Sequence, residues 1–218
     1  MNFSFQRLGL LFLALLWLVG PVLAASKPGN PGKKSNKDEV VTVTTSQGVI
    51  RLILFDDTPR HKENFLKKAK GGFYNGTTFH RVIPGFMIQG GDANSKDADP
   101  SNDGLGQPGE GTIPAEISAG HQHNFGALAA ARQGDFANPE RASSASQFYL
   151  VENREGTHFL DGQYTVFGQV IQGLDVISKI AALSRDGRDR PIADIKMTLK
   201  VDKLKRKKIA ELYGYTYR

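Results

Sequence analysis

Residues 77–92 read TTFHRVIPGFMIQGGD and bring an arginine, two phenylalanines, a methionine and a glutamine into a strand, a turn and a second strand. Extended backbone sends successive side chains to opposite faces, so Phe79 and Arg81 are expected on one face and His80 on the other. Pro84-Gly85 marks the turn, Gly90-Gly91 ends the second strand, and between them Met87 and Gln89 share a face. Arg81 is thus presented beside apolar neighbours as a planar, charged fork of N–H donors. Such a donor stabilises electron density that develops next to it during a reaction, without proton transfer or a covalent bond.

The chain has no cysteine, which excludes disulfides, zinc–thiolate sites and cysteine nucleophiles. His121-Gln122-His123 has a spacing that chelates a metal when extended, but no third ligand accompanies it, and the segment reads as a surface loop. Residues 104–111 (GLGQPGEG) are glycine-rich, yet they lack the strand-to-helix setting of a phosphate cradle and read as a loop bordering a groove. No metal and no cofactor is expected. Phe79, Phe148 and Phe167 read as core.

The 77–92 run closely resembles the signature of the cyclophilin family of peptidyl-prolyl isomerases: a Phe-His-Arg step, then Pro-Gly-Phe-Met, then a Gln-Gly-Gly-Asp end. Three further segments resemble the family in the same order. These are residues 126–134 (GALAAARQG), Ser146-Gln147-Phe148-Tyr149, and Phe159-Leu160-Asp161-Gly162 with Val166-Phe167-Gly168. Together they cover residues 39–203.

The resemblance implies an enzyme acting on X-Pro bonds. Amide resonance sets a rotation barrier of roughly 18–20 kcal/mol, and as the bond twists the proline nitrogen becomes pyramidal and regains a lone pair, which Arg81 would stabilise. It also implies that Phe86, Met87, Tyr149 and Leu160 line a pocket for the proline ring with Phe159 at its rim. Gln89 and the backbone of Arg132 would then hold the substrate, while Ala131, Gln147 and Tyr164 complete the site. The rival from another class is a binding module or holdase chaperone that captures proline-containing segments with little turnover.

Several positions depart from the best-known eukaryotic pattern. Phe159 stands where many members have tryptophan, so the indole donor that favours cyclosporin binding is missing. Tyr164 replaces a histidine, so no imidazole is expected to titrate near the site. Arg132 replaces asparagine and would add a second cation beside the groove. Tyr149 replaces phenylalanine and adds a hydroxyl that needs water or a partner. These substitutions resemble bacterial members.

Elements must position these residues within 218 amino acids, of which 39% are hydrophobic, with 24 glycines and 10 prolines. That composition favours a strand-rich, turn-rich body over a helical bundle. Residues 1–24 carry Arg7 ahead of an apolar run and small residues at the cleavage positions, and read as a secretory signal peptide cleaved after Ala24. Membrane contact is then expected only where that segment is retained, and the mature protein is expected in the periplasm or outside the cell. Residues 25–38 are rich in Pro, Gly, Lys and Asn and read as a flexible linker.

Val40 onward forms a hairpin around Ser46-Gln47-Gly48. Thr58-Pro59 opens a helix, with Thr58 as N-cap, that stops at Gly71-Gly72, and a second helix is expected over residues 174–183. The last strand is expected over residues 192–201. Mostly β structure with two helices fits the closed antiparallel β-barrel of the resembled family. Residues 204–218 form a basic and aromatic tail that either packs on the body or moves freely. Removing residues 1–24 with Arg7 takes the net charge from +6 to +5. No aromatic platform is interleaved with the KLKRKK run at 203–208, so nucleic acid is not expected as a partner. The expected partners are proline-containing client segments, met by a monomer.

Overall fold

The computed structural model describes residues 35–217. The expected signal peptide and most of the linker lie outside them. Eight strands form one antiparallel sheet in the order β10-β1-β2-β9-β6-β8-β4-β3. They are β1 (Lys37–Thr45), β2 (Gly48–Leu54), β3 (Arg81–Ile83), β4 (Met87–Gly90), β6 (Ala127–Ala130), β8 (Phe148–Val151), β9 (Val166–Gln172) and β10 (Thr198–Lys205). A two-stranded ribbon pairs β5 (Thr112–Ile113) with β7 (Ser143–Ser144). No ladder joins β3 to β10. Instead the segments just before them meet, with Phe79 N donating to Ile195 O (3.0 Å), Met197 N to Thr77 O (2.8 Å) and Gly76 N to Met197 O (2.9 Å).

Alternation divides the side chains. Val41, Val43, Leu52, Val82, Ile88, Leu128, Phe148 and Leu150 enter the main core, where they meet Phe65 and Leu66 of α1 (Pro59–Lys70) and Ile177 and Ile180 of α2 (Leu174–Ala181). Side chains on the other face form two separate clusters, one around Met87, Ala129 and Tyr149 and one around Val40, Ile53 and Ile209.

Expectation and structure differ at several boundaries, each for a pairing reason. Strand β1 begins at Lys37, inside the expected linker, because β10 runs on to Lys205 and supplies partners as far as Lys37↔Lys205. Strand β10 begins only at Thr198, since Ile195 and Met197 are engaged by residues 76–79. Thr58 stands before α1 with Pro59 at its first position, but its hydroxyl donates to Phe55 O and caps nothing. Glu116 caps the helix from a distance, accepting from Arg60 N (3.0 Å), His61 N (2.9 Å) and His61 Nδ1 (2.6 Å). Phe79 does not share a face with Arg81. It packs in the main core with Val82 and Ile88, because the regular ladder starts at Arg81.

A third helix, α3 (Arg206–Tyr213), was not expected. It settles the tail on the outer face of β1 and β2: Ile209 is fully buried against Val40 and Ile53, with Tyr213, Tyr215 and Tyr217 packed around it. Arg206 fastens the turn into α3 to Asp56 (2.7 Å) and Asp38 (3.6 Å) and lies 4.6 Å from the centre of the Tyr217 ring.

Candidate active site

Register places a row of directly opposed residues across five strands on the outer face: Arg81↔Gln89, Gln89↔Tyr149, Tyr149↔Ala129 and Ala129↔Val166. Beside it runs Ile83↔Met87↔Val151. Opposed residues on a pleated sheet have neighbouring side chains, so the spacing of Arg81, Met87 and Gln89 in the sequence becomes one surface.

The apolar part of that surface contains buried Met87, Ala129, Ala131 and Tyr149, with half-buried Phe86, Leu160 and Tyr164 packed against them. Gly85, at φ 73°, turns the chain so that Phe86 leaves β4 and stacks on Phe159, with ring centres 5.7 Å apart. Phe159 is 68% exposed and stands at the edge of the cluster. It belongs to a short 3₁₀ turn, His158–Leu160, that also delivers Leu160 to the wall.

A groove of about 490 Å³ opens next to this cluster, lined by Gln89, Ala131, Arg132 and Gln147 together with Gly104, Gly106, Gly109 and Gly111. The glycine-rich loop of residues 104–111 therefore borders a groove. The fully buried Asp92 carboxylate accepts from Gly106 N (3.0 Å), and Asn94 Nδ2 donates to Gly106 O (2.9 Å), which fixes the loop. Gln89 Nε2 donates to Gln147 Oε1 (3.0 Å), and Gln147 Nε2 donates to Gly104 O (3.1 Å), so both glutamines are oriented before any ligand arrives. Of the expected site residues, Ala131 belongs both to the apolar cluster and to the groove lining.

Arg81 is half-buried, and among the described residues no carboxylate pairs with it. Arg132 differs sharply. Its side chain is 2% exposed, bound to Asp135 at 2.6 Å, donating to Gln163 O (3.1 Å) and Gln133 O (2.9 Å), and seated 4.3 Å from the centre of the Tyr164 ring. The expected second free cation is therefore neutralised. Among the described residues no protein group bonds the Arg132 backbone N–H or C=O, which leaves both open to an extended chain in the groove.

Two expectations about imidazoles are overturned. His123 is not on a surface loop; it is fully buried, and its Nε2 lies 2.9 Å from the Tyr149 hydroxyl. Its Nδ1 lies 2.7 Å from Asp161 Oδ1, which also accepts from His123 N at 2.8 Å. His158 Nδ1 takes the other Asp161 oxygen at 2.9 Å. Two imidazoles thus stand at the site although Tyr164 occupies the position that suggested none. Burial holds His123 below the ordinary histidine range despite Asp161, and burial pushes the Tyr149 hydroxyl well up. Burial also acts to raise Asp161, but the His123 amide and the two imidazole donors outweigh it and keep that carboxyl low. His121 lies apart, stacked on Phe55 and bound to Asp57 at 2.7 Å. The clue available in the sequence was Tyr149 itself, because a buried hydroxyl needs a partner.

Residues 40–201 match the family model of cyclophilin type peptidyl-prolyl cis-trans isomerases. The chain belongs to the cyclophilin family. As a cyclophilin it is a peptidyl-prolyl cis-trans isomerase by type, and its relatives agree. It is 37% identical over 161 residues to the peptidyl-prolyl cis-trans isomerase-like 1 protein of Rhizopus delemar, covering 72% of this chain and 87% of that one. It is also 37% identical over 171 residues to the isomerase-like 2 protein of the same fungus, but there it spans 29% of the relative's length and 76% of its own. Among solved structures, a cyclophilin type isomerase of Cryptosporidium parvum superposes with a TM-score of 0.65 at 27% identity, covering 76% of this chain and 98% of that one. The same parasite protein was also solved in the presence of the dipeptide Ala-Pro.

Proposed function

We propose that this cyclophilin accelerates rotation about X-Pro bonds in unfolded or partly folded exported proteins, with Arg81 stabilising the twisted amide. Arg81 carries the reading: a half-buried guanidinium without a carboxylate partner among the described residues, opposite Gln89 at the meeting of apolar cluster and groove. A cation already paired would have its donors occupied; this one keeps them for the pyramidal nitrogen.

Phe86, Met87, Tyr149 and Leu160 hold the proline ring while Phe159 covers its edge. Gln89 and the open backbone of Arg132 fix the chain on one side of the bond, so the other side turns. Ala131, Gln147 and Tyr164 shape the rest of the groove. No covalent intermediate or proton transfer enters, and each ~1.4 kcal/mol of selective stabilisation of the twisted form gives tenfold in rate. Export rests on residues 1–24, read as a signal peptide cleaved after Ala24. The clients are then proteins folding in the periplasm or outside the cell.

Refolding of a client limited by proline isomerisation separates catalyst from holdase. Acceleration at a small fraction of the client concentration supports the isomerase. Slowed refolding that requires equimolar protein would replace it with the holdase.

A further inference from the structure

We infer that His123 is a positioning residue for the proline pocket, setting the distance between its floor and its wall through Tyr149 and Asp161. This deepens the isomerase reading and rests on it.

Tyr149 lies on β8 and supplies part of the apolar floor, packed with Met87 and Ala129. Asp161 directly follows Leu160 and Phe159, the wall and rim. No ladder joins β8 to the 158–160 turn. His123, fully buried, spans them, with Asp161 at 2.7 Å on one ring nitrogen and the Tyr149 hydroxyl at 2.9 Å on the other. Its ring lies nearly parallel to Tyr149, 11° apart with centres at 6.0 Å, and edge-on to Tyr164 at 6.4 Å.

The proton pattern follows from the partners. Asp161 is ionised and only accepts, so His123 donates to it from Nδ1, and Nε2 is left to accept from the Tyr149 hydroxyl. The groups facing this bridge are Asp161 and His158 on the rim turn, Tyr149 on β8, Tyr164 ahead of β9, and Arg132 beyond β6. Protonating His123 turns Nε2 into a donor. The Tyr149 hydroxyl must then accept, and its own hydrogen is turned toward the apolar lining. A buried donor without an acceptor is unstable, so the ring shifts and the pocket loosens around proline. The bridge orders the pocket before substrate arrives and touches no reacting atom, so its loss falls on substrate binding rather than on the chemical step.

The test is steady-state isomerisation of an X-Pro peptide by the full chain, Tyr149→Phe and His123→Ala between pH 4.5 and 8, using direct spectroscopic detection of the isomers. At pH 7.5 either variant is expected to raise KM about fivefold, the size of one lost hydrogen bond, with kcat within twofold. In the wild type, KM rises as the pH falls, with a midpoint below the ordinary histidine value because burial disfavours the imidazolium. Tyr149→Phe keeps the ring but cuts the link, so its KM stays flat with pH even if His123→Ala fails to fold. A flat wild-type profile, or the same acid rise in Tyr149→Phe, would overturn the inference. An inactive, folded wild type at pH 7.5 would instead refute the isomerase reading beneath it.

Discussion

Replacing Ile209 with alanine tests whether the C-terminal segment is part of the folded body. Ile209 is fully buried between Val40 and Ile53, under Tyr213, Tyr215 and Tyr217. The substitution removes three carbon groups. At ~0.8 kcal/mol each, their transfer accounts for roughly 2.4 kcal/mol, and incomplete collapse of the resulting cavity raises the total to about 3–4 kcal/mol. For a domain of this size the melting temperature should fall by roughly 6–16 °C, read by circular dichroism and checked by urea titration. Isomerase activity measured well below the transition should stay within twofold, because Ile209 contacts the Val40–Ile53 cluster and not the Met87–Tyr149 cluster. A shift under 2 °C would mean that α3 adds nothing to stability and that its burial is incidental.

Glu116→Ala removes the acceptor for two amides and one imidazole at the start of α1, and a loss of about 2 kcal/mol is expected in urea titration. Glu116 and two buried histidines also make the protein acid-sensitive. Burial holds His61 and His123 below the ordinary histidine value, so as pH falls the unfolded chain takes up protons at these positions before the folded one does. Burial acts to raise Glu116, but the His61 and amide donors outweigh it and depress that carboxyl, so its contribution is present at neutral pH and lost as pH falls through its folded value. The urea midpoint should therefore be lower at pH 5 than at pH 7.5; an unchanged midpoint would count against both assignments. Phe159→Ala unstacks Phe86 and should raise KM for an X-Pro peptide about two- to tenfold with kcat little changed; a fall in kcat alone would assign Phe159 a different part.

Short-range chemistry made much of this legible. Pro84-Gly85 between two extended runs defines the β3–β4 hairpin, and Ile177 and Ile180 at helical spacing define the buried face of α2. What stayed hidden depends on contacts between residues far apart in the chain. Thr58 has the right type for a cap, yet Glu116, 55 residues beyond His61, reaches the same amides with two oxygens. His121 and His123 are two residues apart and look alike in sequence; one stacks on Phe55 near the surface and the other is sealed behind Tyr149. Arg132 reads as a free cation until Asp135 and Tyr164 are seen to enclose it. In sequence the tail reads either way, because Ile209 and three tyrosines suit a packed helix as well as a solvated one, and only the outer faces of Val40 and Ile53 decide between them.

The most direct measurement is the rate of cis-to-trans conversion of an X-Pro peptide by the wild type, Arg81→Lys and Arg81→Ala, with peptide binding measured on the same samples. Removing a preorganised donor of this kind costs about 10²–10³ in turnover, so Arg81→Ala should lose that much in kcat while binding the peptide within about fivefold. Arg81→Lys, which keeps the charge but not the fork, should fall between. Turnover by Arg81→Ala within threefold of the wild type would contradict the assignment of Arg81 as the group that stabilises the twisted amide.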